Sequence, residues 1–363
     1  MSIIHELLKH AVDAQASDVH IKSKQEPFYR INGKLTESGF EVLTSEYMQS
    51  ILDDIIPEYQ KESFKREHET DFSLAEEGVG RFRVNVFMAG GEPTIAMRHV
   101  KDKIPTFEEL RVPPSLEKLA KAERGIILLS GTTGSGKSTT LAAILGEINR
   151  TLRRRIITIE DPIEYIFKDD QSIITQREVG LDTLNFESSL KHLMRQDPDI
   201  ILIGEMRDTV SIRTAFLAAE TGHLVLSTLH ASTADLAVPR IMDVFPAKEH
   251  DNIRMALAAN LHAVVCQRLI PAVNGGVVPA VEIMINTSTV RKLLERNQLE
   301  TLSAAISTGK EDGMQSFNNA IYDLIKQGLI TEAEAMRRAT NPESLRMMLQ
   351  GIFLNEDSRI LGG

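Results

Sequence analysis

Apolar residues recur along this chain with two different periods, and the period predicts the local structure. Over residues 3–15 and 44–66 they return every three to four positions, which predicts two helices. Elsewhere in the first hundred residues apolar and polar positions alternate, which predicts strands. The alternating segments are residues 17–21, 28–35 and 71–100. These elements together predict a small α+β domain over residues 1–100, with a largely antiparallel sheet.

Two details refine this first domain. An Asn32-Gly33 pair lies between two apolar alternations, which predicts a tight hairpin. Within residues 80–87 the period of two places Arg81, Arg83 and Asn85 on one face of a strand and apolar residues on the other. A sheet with one packed and one polar face is therefore expected.

The pattern changes after a proline-containing segment over residues 101–114, which we interpret as a linker. From residue 115 to 287, short apolar strands alternate with helical stretches, as in a parallel α/β domain. Helical patterns alone cover residues 288–355, and residues 356–363 are expected to form a loose tail. The strand candidates are residues 125–130, 155–160, 199–204 and 223–229.

The strongest chemical signal is a phosphate-binding loop, Gly131–Ser138, with the sequence GTTGSGKS. A predicted strand precedes it and a predicted helix follows it, which is the context that this motif requires. Glycines let backbone N–H groups converge on phosphate oxygens, and the helix adds its positive end. Lys137 is expected to reach the phosphates of ATP, and Ser138 to bind Mg²⁺. The residues expected to contact nucleotide are Thr133, Gly134, Ser135, Gly136, Lys137, Ser138 and Thr139.

Carboxylates follow two of the predicted strands. Glu160 and Glu164 lie in the segment IEDPIE, where they are expected to organise the metal through water, although a solvated acidic loop is the alternative. After the strand at 199–204, Gly204 stands where many nucleotidases have an aspartate. Glu205 is then the natural group to polarise an attacking water, and Asp199 is too far away to replace it.

Two histidines and three arginines complete the candidate site. His230 and, less directly, His223 flank a strand and are expected to sense the γ-phosphate; structural roles for both are the alternative. Arg81, Arg83 and Arg98 are expected to stabilise transition-state charge as arginine fingers, or else to form a solvated basic face.

Composition narrows the class of protein. The chain has 363 residues, 42% of them hydrophobic, and a formal net charge of −10. A net negative charge does not indicate a surface that binds nucleic acid. The amino terminus lacks the basic region followed by an apolar region that marks a secretion signal. No apolar run reaches the length of a membrane span. One cysteine, Cys266, excludes an internal disulfide and a four-cysteine zinc site. The cytosol is the expected compartment.

Four segments in a fixed order resemble the Walker A, Asp box, Walker B and His box of secretion ATPases. They are the phosphate loop, IEDPIEY at 159–165, IGEMRD at 203–208 and TGHLVLSTLH at 221–230. Within that superfamily the chain is similar to the PilT/PilU group, the type IV pilus retraction ATPases. The single cysteine fits this group, because assembly ATPases usually carry a paired CxxC insert.

The resemblance implies a PAS-like amino-terminal domain, a RecA-like P-loop ATPase domain with a helical tail, and a homohexameric ring. ATP would bind between the two domains. The implied partner is an inner-membrane type IV pilus platform protein, contacted from the cytoplasm at the pilus base, with a paralogous retraction ATPase as a further partner.

Three alternatives stay open at the level of sequence. In the helical tail, Thr289–Arg296 keeps Arg291 of the retraction-motor segment but changes other positions, so the chain is either a main motor or an accessory paralogue. An ATP-dependent scaffold that needs a partner for turnover is a second alternative. A RecA-like nucleic-acid translocase is the third.

Overall fold

The computed structural model describes residues 3–31, 33–101 and 103–352. Its strands are β1 (Asp18–Lys22), β2 (Phe28–Ile31), β3 (Lys34–Glu37), β4 (Glu69–Glu76), β5 (Gly80–Ala89), β6 (Glu92–Val100), β7 (Gly125–Ser130), β8 (Arg155–Glu160), β9 (Ile173–Glu178), β10 (Ile200–Ile203), β11 (Leu224–Leu229), β12 (Leu261–Pro271) and β13 (Val277–Ile285). The α-helices are α1 (Ile3–Asp13), α2 (Ser45–Ile55), α3 (Glu58–Glu67), α4 (Phe107–Leu110), α5 (Ser115–Ala120), α6 (Lys137–Thr151), α7 (Phe186–Leu193), α8 (Thr209–Glu220), α9 (Ala237–Met242), α10 (His250–Asn260), α11 (Ser288–Glu295), α12 (Leu302–Thr308), α13 (Phe317–Lys326), α14 (Glu332–Arg338) and α15 (Pro342–Leu349).

The chain divides into two compact units. The amino-terminal unit contains Met1–Lys103 and two later segments, Pro162–Ile166 and Gly180–Asp182. All other residues form the carboxy-terminal unit. The two later segments are a feature that the sequence did not predict. One of them is attached through Tyr165, which pairs with Lys101 as an isolated parallel bridge.

The described strands of the amino-terminal unit form one antiparallel sheet in the order β3-β2-β1-β6-β5-β4. Alternation along β5 buries Phe82, Val84 and Val86 completely and leaves Arg83 exposed on the opposite face. α1 and α2 cover the apolar face and complete the core. The predicted α+β domain with an antiparallel sheet is therefore confirmed.

Two local predictions have different outcomes. β2 and β3 pair from Ile31↔Lys34 outward, which confirms the hairpin, while Asn32 itself lies outside the described residues. The helix predicted over 44–66 is wrong as a single element, because α2 ends at Ile55 and α3 starts at Glu58. Pro57 between them is extended, since proline lacks the N–H that a continuous helix would use.

The carboxy-terminal unit has a seven-stranded sheet within the described residues, in the order β13-β12-β7-β11-β10-β8-β9. All neighbours are parallel except β12 and β13. In β7, Ile126 and Leu128 pack into one core and Ile127 and Leu129 into another. A strand buried on both faces reads as a continuous apolar run, which is why the sequence predicted it.

The four predicted strands are confirmed as β7, β8, β10 and β11, but β9, β12 and β13 were not predicted. β12 carries polar residues among its apolar ones, which weakens its strand pattern. Its antiparallel partner β13 lies more than ten residues from any strand that the sequence predicted. A local signal for β12 and β13 was overlooked, because Asn274-Gly275 lies between their two apolar stretches and predicts a hairpin.

The predicted linker is largely structured. Thr106 and Glu109 form a reciprocal capping box at α4, at 3.2 and 3.0 Å. Phe107 and Val112 are buried in the core of the carboxy-terminal unit, which begins at Ile104. Apolar residues within a proline-containing stretch thus attach it to the fold.

The predicted helical region is confirmed over the described residues, with α11 to α15 after β13. Its buried residues Leu294, Phe317 and Leu345 belong to the same core cluster as β7 and β11, so the region is not a separate body. The predicted tail at 356–363 lies outside the described residues. No described helix has the length and apolarity needed to cross a membrane.

Candidate active site

The candidate residues of the carboxy-terminal unit gather where parallel strands end. The register pairs Ser130 of β7 with Leu229 of β11, and Ile203 of β10 with Ser227 of β11 and Ile159 of β8. The segments that follow these strands therefore leave the sheet at one edge. Ligands of open α/β sheets bind at this carboxyl edge.

The phosphate loop connects β7 to α6. Gly134 and Gly136 have φ of +77° and +87°, values that side-chain-bearing residues rarely adopt. α6 begins after Gly136 with no side-chain cap, so the N–H groups of its first turn face the loop. Ser135 Oγ is buried and has no hydrogen-bond partner among the described residues. Each of these features is suited to binding the phosphate groups of a nucleotide.

Lys137 is held inside the loop. Its side chain is buried, and Nζ donates to the carbonyl oxygens of Gly131 and Thr132 at 2.9 and 3.1 Å. A buried ammonium needs such partners because removal from water is costly. The lysine is thus positioned at the start of the helix, where a nucleotide phosphate would complete its coordination.

Gln267 of β12 lies beneath the loop and was missed in the sequence. Its Oε1 accepts from Thr140 Oγ1 at 2.7 Å, and both residues are buried. A Cβ on Gly136 would lie 2.7 Å from Gln267 Nε2, and one on Gly131 would lie 2.5 Å from Gln267 O. Gln267 therefore supports the loop from below. No local signal marks it, because the contact joins positions 127 residues apart.

Replacement of Gln267 by methionine is expected to raise the Kd for ADP about three- to tenfold. The change removes the hydrogen bond from Thr140, which is worth about 1 kcal/mol. The phosphate loop then loses part of the packing that holds its shape. Nucleotide titration of Gln267→Met and Thr140→Val, singly and together, measures the effect. The two effects should be non-additive, since both variants remove one contact. Additive effects, or an unchanged Kd, would contradict this role.

Glu205 lies two residues after the end of β10, with Gly204 between them. Gly204 N donates to Ile159 O at 2.8 Å, and a Cβ on Gly204 would lie 3.1 Å from that oxygen. The close approach of β8 explains why glycine occupies this position. Thr228 of β11 holds the turn, because its Oγ1 donates to Gly204 O at 2.8 Å and its carbonyl accepts from Met206 N at 3.0 Å. Glu205 is therefore presented from a fixed turn.

The two histidines lie at opposite ends of β11. His230 follows the strand at the carboxyl edge, and its Nε2 lies 3.5 Å from Glu205 Oε1. Both side chains are partly exposed there. His223 precedes the strand, where its carbonyl accepts from Gly125 N, and its Nδ1 bonds Ala218 O at 2.9 Å. β11 separates His223 from the phosphate loop by roughly 20 Å. The prediction of His223 as a γ-phosphate sensor is therefore wrong.

The acidic segment is divided between the two units. Glu160 ends β8, three strands from β7, or roughly 14 Å across the sheet. Its Oε1 accepts from Thr158 Oγ1 at 2.7 Å and from Gln176 of β9 at 3.1 Å. The second of these bonds joins Glu160 to β9, and the role of Glu160 in organising the metal stays a prediction. Glu164 is exposed and belongs to the amino-terminal unit. Its role in organising the metal stays a prediction.

The three arginines share one face of the amino-terminal sheet. Arg83 of β5 is directly opposite Arg98 of β6, and Arg81 lies two residues before Arg83. Like charges at opposite positions destabilise a sheet unless they are compensated. Asp18 compensates here, since Oδ1 accepts from Arg98 Nε at 2.8 Å. Although burial alone would raise the pKa of Asp18, hydrogen bonds from Ser17 and Arg98 hold it below its usual range.

Among the three arginines, Arg98 has a structural partner and Arg83 is exposed. The finger role of all three stays a prediction. Within the described residues, no three His, Cys, Asp or Glu side chains form a group that could hold a metal ion. Ser138, in the first turn of α6, is then the protein ligand through which Mg²⁺ would bind beside phosphates.

Comparison with known proteins gives consistent likenesses over most of the chain. Residues 1–300 match the family described as Type II/IV secretion system protein. The Type IV pilus retractation ATPase PilT of Pseudomonas aeruginosa is 40% identical, over 94% of this chain and 99% of its own. The Type IV pilus ATPase PilU of the same organism is 39% identical, over 95% of this chain and 90% of its own.

A solved structure is similar as well. The pilus retraction motor PilT with bound ADP superposes with a TM-score of 0.89 at 39% identity, covering 95% of this chain and 99% of that one. This likeness confirms the predicted fold class, an antiparallel amino-terminal domain followed by a RecA-like domain. Sequence and fold thus agree on one relationship.

Proposed function

Because this chain belongs to the Type II/IV secretion system protein family of ATPases, we propose that it is a type IV pilus motor whose ATP hydrolysis drives pilus retraction and twitching motility. The observation that carries the proposal is the constellation at the carboxyl edge, where the phosphate loop, Glu205 and His230 follow neighbouring strands. The similarity to PilT over nearly the full length of both chains adds the pilus context.

Each residue has a defined task in hydrolysis. Lys137 and the amides of residues 133–139 bind the phosphates of ATP and neutralise their charge. Glu205 accepts a proton from the attacking water as its oxygen bonds to the γ-phosphorus, and the bond to the bridging oxygen breaks to release ADP. His230, 3.5 Å from Glu205, is positioned to report whether a γ-phosphate is present. A Mg²⁺ ion bound through Ser138 would supply further charge neutralisation.

The remaining candidates act at a distance in this proposal. Arg81, Arg83 and Arg98 would stabilise charge as fingers, with Arg83 the best suited because it is exposed while Arg98 bonds Asp18. Glu164 would act on the metal through water, and Glu160 would act only indirectly, through its bonds to β8 and β9.

The proposed working form is a homohexameric ring at the cytoplasmic face of the inner membrane, acting on the pilus platform protein. A closed ring lets identical subunits fire in turn and pass one conformational change to the next. The similarity to PilU, at 39% identity, favours a second candidate function: an accessory paralogue that turns over only beside a partner motor.

ATP turnover by the purified chain, with its mass in solution recorded in the same sample, tests the two candidates. A hexamer that hydrolyses ATP alone would support the autonomous motor. A hexamer that binds ATP without turnover would favour the accessory paralogue. In the native cell, deletion of the gene should abolish twitching and increase the number of surface pili, because unretracted pili accumulate. Fewer surface pili would contradict retraction and indicate assembly.

A further inference from the structure

The four residues that follow His230, Ala231-Ser232-Thr233-Ala234, form a segment that we name the post-histidine loop. Ser130, the residue before the phosphate loop, anchors its beginning. Ser130 Oγ accepts from Ala231 N and donates to Ala231 O, both at 2.9 Å. Ser130 is completely buried, so water does not compete for these bonds. The phosphate loop and His230 therefore share one anchor.

A row of polar residues continues this anchor across the sheet. Cys266 of β12 pairs with Ser130 of β7 on one side and with Glu282 of β13 on the other. Cys266 Sγ donates to Ala231 O at 3.4 Å, and Glu282 Oε2 accepts from Ala234 N at 2.6 Å. All three side chains are buried. The post-histidine loop is thus bonded along its length to three adjacent strands.

Glu282 also bonds the carboxy-terminal helices. Its second oxygen, Oε1, accepts from Phe317 N at the first turn of α13, at 3.3 Å. One carboxylate therefore joins the post-histidine loop to α13. A buried carboxylate that loses an N–H partner bears the full desolvation cost, so these bonds resist independent movement of the two elements.

Arg268 lies two residues after Cys266 on β12. Like the Glu282 carboxylate, its positively charged side chain connects the post-histidine loop to the carboxy-terminal helices. It donates to Ser232 O in the post-histidine loop at 3.1 Å and to Arg338 O at the end of α14 at 2.9 Å. Its guanidinium group lies 3.8 Å from the centre of the Phe317 ring. Two side chains from neighbouring strands thus connect the same loop to the carboxy-terminal helices, Glu282 to α13 and Arg268 to both α13 and α14.

We propose that Glu282 and Arg268 are positioning residues that transmit the nucleotide-dependent position of His230 to helices α13 and α14. This proposal rests on the proposed function, since it requires His230 to respond to the γ-phosphate. Bonds to backbone groups fix distances on both sides, so a shift of the post-histidine loop must move the helices or break hydrogen bonds, of which those of Glu282 are buried.

Amide hydrogen exchange of the full-length chain tests this coupling. The Glu205→Ala variant is used so that ATP stays intact, and exchange is compared between ATP and ADP. The expected result is a difference over the phosphate loop, the post-histidine loop and α13. In Glu205→Ala/Glu282→Gln the first two differences should persist and the α13 difference should fall at least twofold. Glutamine accepts one N–H but opposes the second with its own amide.

The comparison of ATP with ADP separates coupling from simple stabilisation, because a structural role would change α13 equally in both nucleotides. An α13 difference that is absent from the start, or that survives Glu282→Gln, would overturn the coupling alone. If the phosphate loop itself does not respond to nucleotide, the proposed function fails and the coupling with it.

Two further variants keep the test decisive. Arg268→Lys retains the charge but cannot hold the carbonyls of Ser232 and Arg338 with one planar group, so it should reduce the difference between ATP and ADP over α14. Glu334→Gln is the matched control, since that carboxylate pairs only with Arg337 and Arg338 of its own helix among the described residues. Glu334→Gln should leave the exchange difference over α13 unchanged. A comparable loss in this control would overturn the assignment of Glu282 and Arg268 as positioning residues.

A pH profile provides a second readout. The net pKa of Glu282 is raised to about 7: burial is the main cause, the N–H donors of Ala234 and Phe317 oppose it, and Asp235 raises and Arg268 lowers the pKa by smaller amounts. The ionised carboxylate accepts both N–H groups, whereas the protonated form accepts only one well. Burial also raises the pKa of Cys266 to about 12, so that thiol stays neutral. The α13 difference should therefore grow from pH 6 to pH 8 and be flat in Glu282→Gln. Identical profiles would overturn the proposal.

Discussion

Replacement of Lys137 by alanine is expected to raise the Kd for ATP by about a hundredfold or more and so abolish tight binding. The ammonium is buried at the start of α6, where the carbonyl oxygens of Gly131 and Thr132 accept from it. Charge-assisted hydrogen bonds to phosphate are worth about 1.5–3 kcal/mol, and 1.4 kcal/mol is a factor of ten in Kd. Equilibrium titration with a fluorescent ATP analogue measures the change.

Lys191→Ala is the matched control, because Lys191 lies on the exposed face of α7 in an ion pair with Glu187. Its effect on nucleotide affinity should be negligible, since exposed pairs contribute little. Thermal unfolding of both variants without nucleotide separates lost binding from lost folding. A Lys137→Ala protein that folds normally and binds ATP with wild-type affinity would exclude the phosphate loop as the nucleotide site.

The second large effect is expected in turnover. Glu205→Ala should bind ATP within about threefold of the wild type and lose roughly 10²- to 10⁴-fold in kcat, the usual contribution of a general base. Glu205 is presented by a turn that Gly204 and Thr228 hold, so truncation removes the carboxylate and leaves the backbone bonds in place. Single-turnover hydrolysis in parallel with binding gives both quantities.

Glu187→Ala serves as the control here, since it removes a carboxylate that is also in an ion pair, but on the exposed face of α7. Glu205→Gln adds a finer test, because it keeps the shape and removes only the basicity. Hydrolysis at the wild-type rate in Glu205→Ala would show that another group activates the water. Loss of binding together with turnover would show that Glu205 acts on nucleotide affinity instead.

These two predictions concern residues that the sequence already identified as candidates, and there is a physical reason why it could do so. A phosphate loop is a local device: its glycines, its lysine and the helix start lie within a few consecutive residues. Parallel strands such as β7 and β10 are buried on both faces, so they are continuous apolar runs. Glu205 and His230 were predicted because they directly follow such runs.

His223 shows where that reasoning stops. In the sequence it resembles His230, since both flank the same apolar run. Strand direction distinguishes them, because only one end of β11 lies beside the phosphate loop. Glu160 shows the same limit: its position at the end of a strand was predicted correctly, but the order of strands puts β11 and β10 between β8 and β7.

By itself the sequence determined the α/β class, the strands that lead into the phosphate loop, and the family, because each depends on residues near one another in the chain. The tertiary structure alone decided that Gln267 supports the loop and that Glu282 and Arg268 join the post-histidine loop to α13 and α14. Those contacts span 35 to 127 positions and involve strands at the antiparallel edge. Such pairings are set by packing over the whole sheet, and no local pattern encodes them.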